Sequence, residues 1–117
     1  MKKMSELINE RVGVGCQSLN SELIYLTEGG NQVGSLVLVY NETSASIFSV
    51  EVLNRYRGKG YGKKLVVEAI NRAKYKGSSL LELNTETDNT VANSLYKSLG
   101  FELKGFKDHF NNYIKVL

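Results

Sequence analysis

Apolar residues in the first half of the chain concentrate in three short segments, and turn-forming residues separate them. Residues 22–27, 33–40 and 45–53 therefore predict three consecutive strands. Residues 28–31, with the sequence Glu-Gly-Gly-Asn, predict a hairpin turn, because Gly and Asn accept the positive φ that tight turns require. Residues 41–43 turn the chain again, and with such short connections we expect the strands to pair antiparallel.

The spacing of apolar residues then changes to that of a helix. Positions i, i+1, i+4, i+5 and i+8 lie on one face of a helix, and here they are Leu65, Val66, Ala69, Ile70 and Ala73. We therefore expect a helix over residues 62–76, ended by Gly77. In residues 79–85 two leucines alternate with polar Glu82 and Asn84, which predicts a strand with two unlike faces.

A second helix is expected after this strand, because Asp88 or Asn89 can serve as its N-cap and Gly100 can end it. Its predicted apolar face consists of Val91, Ala92, Leu95 and Leu99. Residues 101–107 and 113–117 predict two closing strands. The order β-β-β-α-β-α-β-β indicates an α/β (α+β) fold whose mixed, mostly antiparallel sheet contains a parallel β-α-β unit.

The ends and the composition of the chain add less. Residues 4–11 predict a short helix, and residues 12–20 predict an irregular or short extended segment. A length of 117 residues, with 42% hydrophobic and 23% charged residues, is typical of one globular domain, here residues 1–117. No apolar run is long enough to span a membrane and no signal-peptide core follows the first residues, so we expect a cytoplasmic protein without a membrane partner.

The single cysteine and the single histidine carry little predicted chemistry. Cys16 cannot form an internal disulfide, and neither it nor His109 stands in a pattern of metal ligands, so we expect no metal site. No histidine lies near Cys16, which favours a structural thiol over a nucleophile. His109 lies in a polar stretch near the end of the chain and is expected at the surface.

Charge is unevenly distributed along the chain. Residues 1–44 carry a net charge of −2, whereas residues 45–117 carry +5. Within residues 55–64 there are five cations and no acidic residue: Arg55, Arg57, Lys59, Lys63 and Lys64. Such a patch indicates an anionic partner.

A glycine-rich loop lies inside this basic patch, between a predicted strand and a predicted helix. Gly58, Gly60 and Gly62 alternate, which lets backbone N–H groups approach an anion at the N-terminus of a helix. The Walker A pattern fails, because Lys64 stands where Ser or Thr is required. The dinucleotide pattern fails, because Lys63 stands where a third glycine is required. The loop alone is compatible with a phosphate site or with a basic surface turn.

Two segments carry a family resemblance. Residues 57–62, Arg-Gly-Lys-Gly-Tyr-Gly, resemble the acetyl-CoA signature [QR]-x-x-G-x-[GA] of the GNAT acetyltransferase family. Residues 89–101, Asn-Thr-Val-Ala-Asn-Ser-Leu-Tyr-Lys-Ser-Leu-Gly-Phe, are similar to that family's N-x-x-A-x-x-L-Y-x-x-x-G-F segment. With the helix and strand between them, they cover residues 45–101, about half of the chain. On these residues the chain is identified as a member of the GNAT family, a short one with a reduced N-terminal region.

The resemblance implies an acetyl-CoA site with splayed central strands. Backbone amides of residues 57–62 and the dipole of the next helix would hold the CoA pyrophosphate. The strand around Val50 would pair with the pantetheine arm, and the Val52 N–H would be an oxyanion donor. Asn89 would touch the pantetheine or help to open its helix, and the phenol of Tyr96 would protonate the departing thiolate. The implied cofactor-binding residues are Val50, Val52, Arg57, Gly58, Lys59, Gly60, Tyr61, Gly62, Lys63, Asn89 and Tyr96.

Each of these assignments has a simpler structural alternative. Tyr96 is also compatible with a core position, and Asn89 with an N-cap alone. Tyr61 is compatible with packing. The lysines of the patch are alternatively solvated surface side chains: Lys59, Lys63 and Lys64.

The sequence departs from the family at the expected general base. On the strand before the loop the usual positions fall near Ser46 and Phe48, which cannot serve as bases. Asn84 occupies the position where some members have Glu. The candidates are therefore Glu82 and Glu86 on the same strand face, each alternatively an ordinary exposed carboxylate, or a water molecule held by Asn84 and backbone carbonyls.

A second departure lies before the first predicted strand. The family usually has two helices there that form much of the acceptor pocket, but only about 20 residues precede residue 22. This implies an acceptor site open to large acceptors, a site completed by a second subunit in a homodimer, or loss of acetyl transfer.

The expected function is transfer of an acetyl group from acetyl-CoA to a primary amine, on a small molecule or a protein, by direct attack in a ternary complex. An alternative is a non-catalytic acyl-CoA-binding or regulatory domain, which the missing base and short N-terminal region motivate. A third hypothesis is a nucleic-acid-binding protein that uses the basic loop. Against it, the aromatic residues do not interleave with the cations as stacking platforms do.

Overall fold

The computed structural model of the protein describes residues 10–17 and 20–117, and of residues 10–17 it describes the backbone alone. The strands are β1 (Glu10–Gln17), β2 (Ser21–Glu28), β3 (Asn31–Tyr40), β4 (Ser44–Val52), β5 (Leu80–Glu86), β6 (Glu102–Lys107) and β7 (Phe110–Val116). The helices are α1 (Tyr61–Tyr75) and α2 (Thr90–Ser98), and a 3-10 turn at Asn54–Tyr56 precedes α1.

All seven strands form one sheet in the order β1-β2-β3-β4-β5-β7-β6. Only the central pair, β4 and β5, is parallel, and α1 is the crossover that connects them. The predicted α/β architecture with a β-α-β unit in a mostly antiparallel sheet is therefore confirmed. In the part of the chain described, neither helix has the length and apolar character needed to cross a membrane.

The prediction for the start of the chain was wrong only in part. Residues 10 and 11 were assigned to a short helix but begin β1, whereas residues 12–17, predicted as irregular or short extended, continue this strand. Residues 4–9 lie outside the described residues. In β1 the backbone pairs with β2 from Glu10 opposite Glu28 to Gln17 opposite Glu22. This long-range pairing outweighs a weak local helix preference.

Both helices pack on the same face of the sheet. The buried side chains of α1 include all five predicted positions, 65, 66, 69, 70 and 73. A Cβ at Gly34 on β3 would lie 3.0 Å from Leu65 Cδ1 and 2.9 Å from Glu51 O, so the absent side chain lets α1 approach the sheet. The ring of Tyr96 on α2 contacts Tyr113 of β7, with 6.0 Å between ring centroids.

The predicted apolar face of α2 was partly wrong. Val91 is 81% exposed, and the buried positions of this helix are Asn93 and Tyr96. Asn93 can be buried because its side-chain amide donates to Glu86 O and Asn89 O and accepts from neighbouring side chains. An apolar pattern alone cannot identify such a position, since its burial depends on polar groups distant in sequence.

The β6–β7 hairpin is tighter than predicted. Asp108 and His109 both have positive φ, 52° and 70°, and Lys107 pairs with Phe110. This is the conformation of a type I′ turn, which matches the twist of the flanking strands. As a result β7 begins at Phe110 rather than at residue 113, and His109 is exposed as expected.

Candidate active site

The central strands pair over a short length and then separate. The parallel register runs from Ser44 opposite Leu80 to Ile47 opposite Leu83. Strand β4 nevertheless continues to Val52 and β5 to Glu86. The carboxyl halves of the two strands therefore diverge, and a cleft opens between them, as the family resemblance implied.

A β-bulge in β4 lies at the edge of this cleft. The pairing of β3 with β4 shifts between Val37 opposite Phe48 and Ser35 opposite Glu51. Ser49, inside the bulge, has a φ of 57°, which is uncommon for a residue other than Gly, Asn or Asp. The sequence carries no signal for this feature, since serine at this position does not predict a left-handed conformation.

The bulge leaves the Val52 backbone directed into the cleft. Leu53 N–H donates to Val33 O at 2.8 Å, and Val52 lies opposite Gly34. This alternation makes Val52 a position whose N–H and C=O point away from β3 and toward the diverging β5. The carbonyl accepts a hydrogen bond from Arg57 Nε at 3.0 Å. The Arg57 side chain thus fixes the glycine-rich loop against the end of β4.

The loop after β4 ends in the N-terminus of α1. Gly58 and Gly60 have φ values of 78° and 82°, and Gly60 is the N-cap residue. Of the described hydrogen bonds, none has its donor in the backbone N–H of Gly58, Lys59, Gly60, Gly62 or Lys63. Together with the helix dipole, these donors suit an anion, and the binding role of residues 57–62 stays a prediction.

The cations of the patch have different positions. Lys63 is exposed and lines the cleft, whereas Lys59 does not line it. Lys59 Nζ and Arg55 Cζ each lie 5.4 Å from the ring centroid of Tyr56, within the range of a cation–π interaction. Lys64 Nζ lies at the same distance from the ring of Tyr61.

Tyr61 and Asn89 have the structural roles that were considered as alternatives. The Tyr61 ring is buried, and its hydroxyl donates to Glu28 Oε2 at 2.7 Å. Asn89 is the N-cap of α2, and its side-chain oxygen accepts from Ala92 N–H at 3.1 Å. Both residues also line the cleft, so the structural role of each does not prevent contact with a ligand.

The end of α2 fixes the position of Tyr96. Gly100 has a φ of 89°, and Phe101 N–H donates to Tyr96 O at 3.0 Å, which is the bond pattern of a Schellman motif. The motif brings the Phe101 ring edge-on to Tyr96, with 6.0 Å between centroids. This geometry gives a physical reason for the Tyr-x-x-x-Gly-Phe spacing.

The Tyr96 ring is only 4% exposed, and burial raises the pKa of its phenol above the ordinary value. Among the described residues this hydroxyl makes no hydrogen bond, and no fully buried side-chain oxygen lacks a partner. Its oxygen therefore reaches the space of the cleft that Tyr96 lines. A protonated phenol in this place can donate a hydrogen bond to a ligand atom.

The candidate bases lie on β5, across the cleft from the end of β4. Ser46 Oγ donates to Glu82 Oε1 at 3.1 Å, where β4 and β5 are still paired. Asn84, two residues further along β5, is exposed at the opening. Glu82, Asn84 and Glu86 alternate on the same face of β5, and all three line the cleft.

The cleft has a volume of about 1270 Å³. It brings together every residue predicted for catalysis or cofactor binding except Lys59. Its lining also includes Phe48 of β4 and Phe110 of β7. Neither phenylalanine was predicted for the site, because Phe48 was considered only as a base, which it cannot be, and Phe110 follows a turn that was not predicted.

Comparison with known proteins identifies the class to which this fold and cleft belong. The model of the acetyltransferase (GNAT) family matches residues 6–101. The chain therefore belongs to the acetyltransferase (GNAT) family of enzymes.

Individual relatives agree with this assignment. The chain is 33% identical over 75 residues to the [ribosomal protein bS18]-alanine N-acetyltransferase of Haemophilus ducreyi, covering 64% of this chain and 52% of the relative. The chain thus spans about half the length of that relative.

Solved structures share the fold. The PaiA N-acetyltransferase of Thermoplasma acidophilum in complex with coenzyme A superposes with a TM-score of 0.80 at 22% identity, over 85% of this chain and 62% of that one. An acetyltransferase of Bacillus subtilis in complex with CoA gives a TM-score of 0.81 at 19% identity, over 92% of this chain and 99% of that one.

Proposed function

We propose that the protein is an acetyl-CoA-dependent N-acetyltransferase that acts on a primary amine by direct attack in a ternary complex. The observation that carries this proposal is the cleft at the divergence of β4 and β5. It combines a helix N-terminus, a strand backbone directed inward and a buried phenol whose hydroxyl reaches the cleft. Family membership supports the same activity.

The loop is suited to the pyrophosphate of acetyl-CoA. The N–H groups of Gly58, Lys59, Gly60, Gly62 and Lys63 lie at the start of α1, whose first turn contains no acidic residue. An added Cβ at Gly58 or Gly60 meets no atom of the chain within 4 Å, so the loop surface is open. The two neighbours described above were solved with CoA bound, which favours the same ligand class here.

The strand and the phenol supply the groups that acyl transfer needs. As the amine nitrogen attacks the acetyl carbon, negative charge develops on the thioester oxygen, and the Val52 N–H would stabilise it. The new C–N bond forms and the C–S bond breaks. Tyr96 then gives its proton to the departing thiolate sulfur. Asn89 and Val50 lie along the same cleft and would contact the pantetheine arm.

The proton lost by the amine passes to a carboxylate on β5. Glu82 uses one oxygen to accept from Ser46, which leaves the second oxygen for the amine or for a bridging water molecule. Asn84, nearer the opening, would orient that water. Glu82 and Asn84 together thus replace the single glutamate that some family members have at the position of Asn84.

The first test is thermal unfolding with and without acetyl-CoA, because a ligand that binds the native state raises the midpoint by mass action. The rise in the unfolding midpoint should be lost in Gly60→Glu, because a carboxylate would take the place of the glycine hydrogen that faces the bound anion. The matched control is Gly77→Glu: Gly77 has a similar φ of 86° and open surroundings, but lies beyond the far end of α1.

The outcomes separate the candidate functions. A rise that Gly77→Glu keeps and Gly60→Glu loses supports the loop assignment, and thiol release with a panel of primary amines then tests transfer. Binding without release from any amine would favour the non-catalytic acyl-CoA-binding alternative. No rise in the parent protein, with salt-dependent binding of RNA or DNA, would instead favour the nucleic-acid hypothesis.

A further inference from the structure

The sheet face opposite the helices carries the mouth of the cleft. Tyr113, opposite Leu83, contacts α2, so the residues that alternate with Leu83 lie on the other face. We call this the outer face, and near the cleft it contains Ser46, Phe48, Glu82, Asn84, Glu86 and Phe110. The hydrogen bond between Ser46 and Glu82 agrees with this assignment. The anion-binding loop, in contrast, leads into α1 on the helix side.

Two phenylalanines flank the mouth. Phe48 comes from β4, just beyond the last pairing with β5, and Phe110 comes from β7, opposite Glu86. Phe48 is 52% exposed and Phe110 is 45% exposed, and both line the cleft. Half-exposed aromatic rings that border a cleft offer a surface for an apolar group of a ligand.

The charges at the mouth have the sign that suits an ammonium group. Glu82 and Glu86 lie on the outer face, and Glu51 also lines the cleft. The cationic Lys107 lies on β6, on the other side of Phe110 from Glu86. Residues directly opposite on antiparallel strands have Cα atoms about 5 Å apart, so the Phe110 ring and the Glu86 carboxylate are neighbours. A ligand bound at this mouth must therefore carry its ammonium group and its apolar group close together.

We propose, on the basis of the acetyl transfer proposed above, that the mouth of the cleft on the outer face is an acceptor subsite. It binds a primary amine that has an apolar substituent two or three carbons from the nitrogen. The nitrogen lies among Glu82, Asn84 and Glu86, and the aromatic or branched aliphatic group lies between Phe48 and Phe110. The same chemistry occurs in small arylalkylamines and at the amino terminus of a peptide that begins with an apolar residue.

The test is acetyl transfer to matched acceptors at saturating acetyl-CoA, measured as kcat/KM. One arm compares 2-phenylethylamine and 3-methylbutylamine with ethanolamine, and a second compares the tripeptide amides Phe-Ala-Ala and Ser-Ala-Ala. Spermidine, which has several charges, is a further acceptor. The variants are Phe48→Ala and Phe110→Ala, and the control is Tyr75→Ala, which removes an 89% exposed ring on α1.

We expect the parent protein to prefer the apolar acceptor by about tenfold or more in at least one arm. Phe48→Ala and Phe110→Ala should each reduce this preference severalfold, mainly through KM, while Tyr75→Ala retains it. The arm that shows the effect identifies the source of the amine. An equal rate for apolar and polar acceptors, a preference that survives both variants, or a preference for spermidine overturns the subsite and leaves acetyl transfer intact.

Failure of the proposed function has a different result. If no acceptor is acetylated, the subsite is overturned together with the transferase assignment, whether or not acetyl-CoA raises the unfolding midpoint. The melting experiment then separates a protein that binds acetyl-CoA without transfer from one that binds neither substrate.

Discussion

The Tyr96 side chain combines a fixed ring with a hydroxyl that remains available to a ligand. Phe101 and Tyr113 contact the ring, and the Schellman motif holds the backbone of this turn. Burial raises the pKa of the phenol, so the group is protonated at neutral pH and can act as a donor. The residue is therefore both part of the core and a candidate acid, and the two interpretations considered for it are compatible.

Replacing Tyr96 by Phe separates these two roles. We expect kcat to fall by about 100-fold or more. Because no hydrogen bond is lost, the free energy of unfolding should change by less than about 0.5 kcal/mol. Steady-state kinetics and urea denaturation measure the two quantities, with Tyr75→Phe as the control. An unchanged kcat would leave Tyr96 with a packing role alone.

The same phenol makes a prediction about pH. Its pKa is raised, so its donor function persists through the neutral and moderately alkaline range. That function disappears only as the pH rises past the raised value, above the ordinary pKa of about 10. A fall in kcat between pH 7 and 9 that Tyr96→Phe abolishes would contradict this assignment. A pH–rate profile of parent and variant makes the comparison.

The fate of single residues shows what the sequence can and cannot predict. The positions of Gly58, Gly60 and Tyr96 follow from short motifs, since each depends on a local turn or helix end. Ser49 could not be recognised, because its positive φ results from register shift against β3 rather than from its own preference. The assigned roles of Val52, Glu82 and Asn84 stay predictions.

At the scale of elements, one buried amide links α2 to two strands of the sheet. Asn93 is 8% exposed and donates to Glu86 O at the end of β5. Its oxygen accepts from Asn111 Nδ2 at 2.9 Å and from the Tyr113 hydroxyl at 2.5 Å. The helix that carries Tyr96 is thereby joined to two strands of the cleft wall, and the network leaves none of these groups without a partner.

The substitution Asn93→Leu should therefore destabilise the protein more than the change in side-chain volume alone would. The substitution leaves the Tyr113 hydroxyl and the Asn111 amide without their acceptor, and we expect a loss of about 3 kcal/mol in urea denaturation. The control is Asn89→Ala at the N-cap of α2, which removes one N-cap bond and should cost about 1 kcal/mol. Equal losses would show that the network is not the main attachment of α2.

Elements with strong local patterns were predicted well, and those that depend on distant partners were not. Helix α1 buries the five positions that its spacing indicated, and the Gly29-Gly30 turn has the expected positive φ values. Strand β1 was anticipated only as an irregular or short extended segment from residue 12, since its partner β2 provides the hydrogen bonds. Val91 is exposed because it borders the open cleft, and Asn93 is buried because its amide is hydrogen-bonded to polar groups of the sheet.

At the scale of the whole molecule, the two ends of α1 have separate tasks. Its N-terminus forms the proposed anion site, while Arg72 near its C-terminus donates to the buried Glu22 of β2 through Nε at 3.0 Å. The Tyr40 hydroxyl also donates to Glu22, which is 1% exposed. Arg72 is eleven residues from Tyr61, or about 16 Å along the helix axis.

Arg72→Met should lower stability without affecting the cofactor. Glu22 would keep its burial but lose its cation, and breaking such a pair costs about 3 kcal/mol or more. The affinity for acetyl-CoA, measured by calorimetry well below the unfolding midpoint, should remain within about twofold of the parent value, because 16 Å exceeds the screening length at physiological salt. The double variant Arg72→Met with Glu22→Gln should recover part of the loss. A large change in affinity would contradict this independence.

The parallel seam between β4 and β5 contains four residue pairs, and it is the only place in the sheet where strands β1–β4 meet strands β5–β7. The antiparallel pairs on either side are longer. In mechanical terms, each half of the sheet is stiffer than the junction between them. A pantetheine arm paired with β4 in the cleft would extend the junction between β4 and β5. Bound acetyl-CoA would then hold the two halves of the sheet together while it delivers its acyl group.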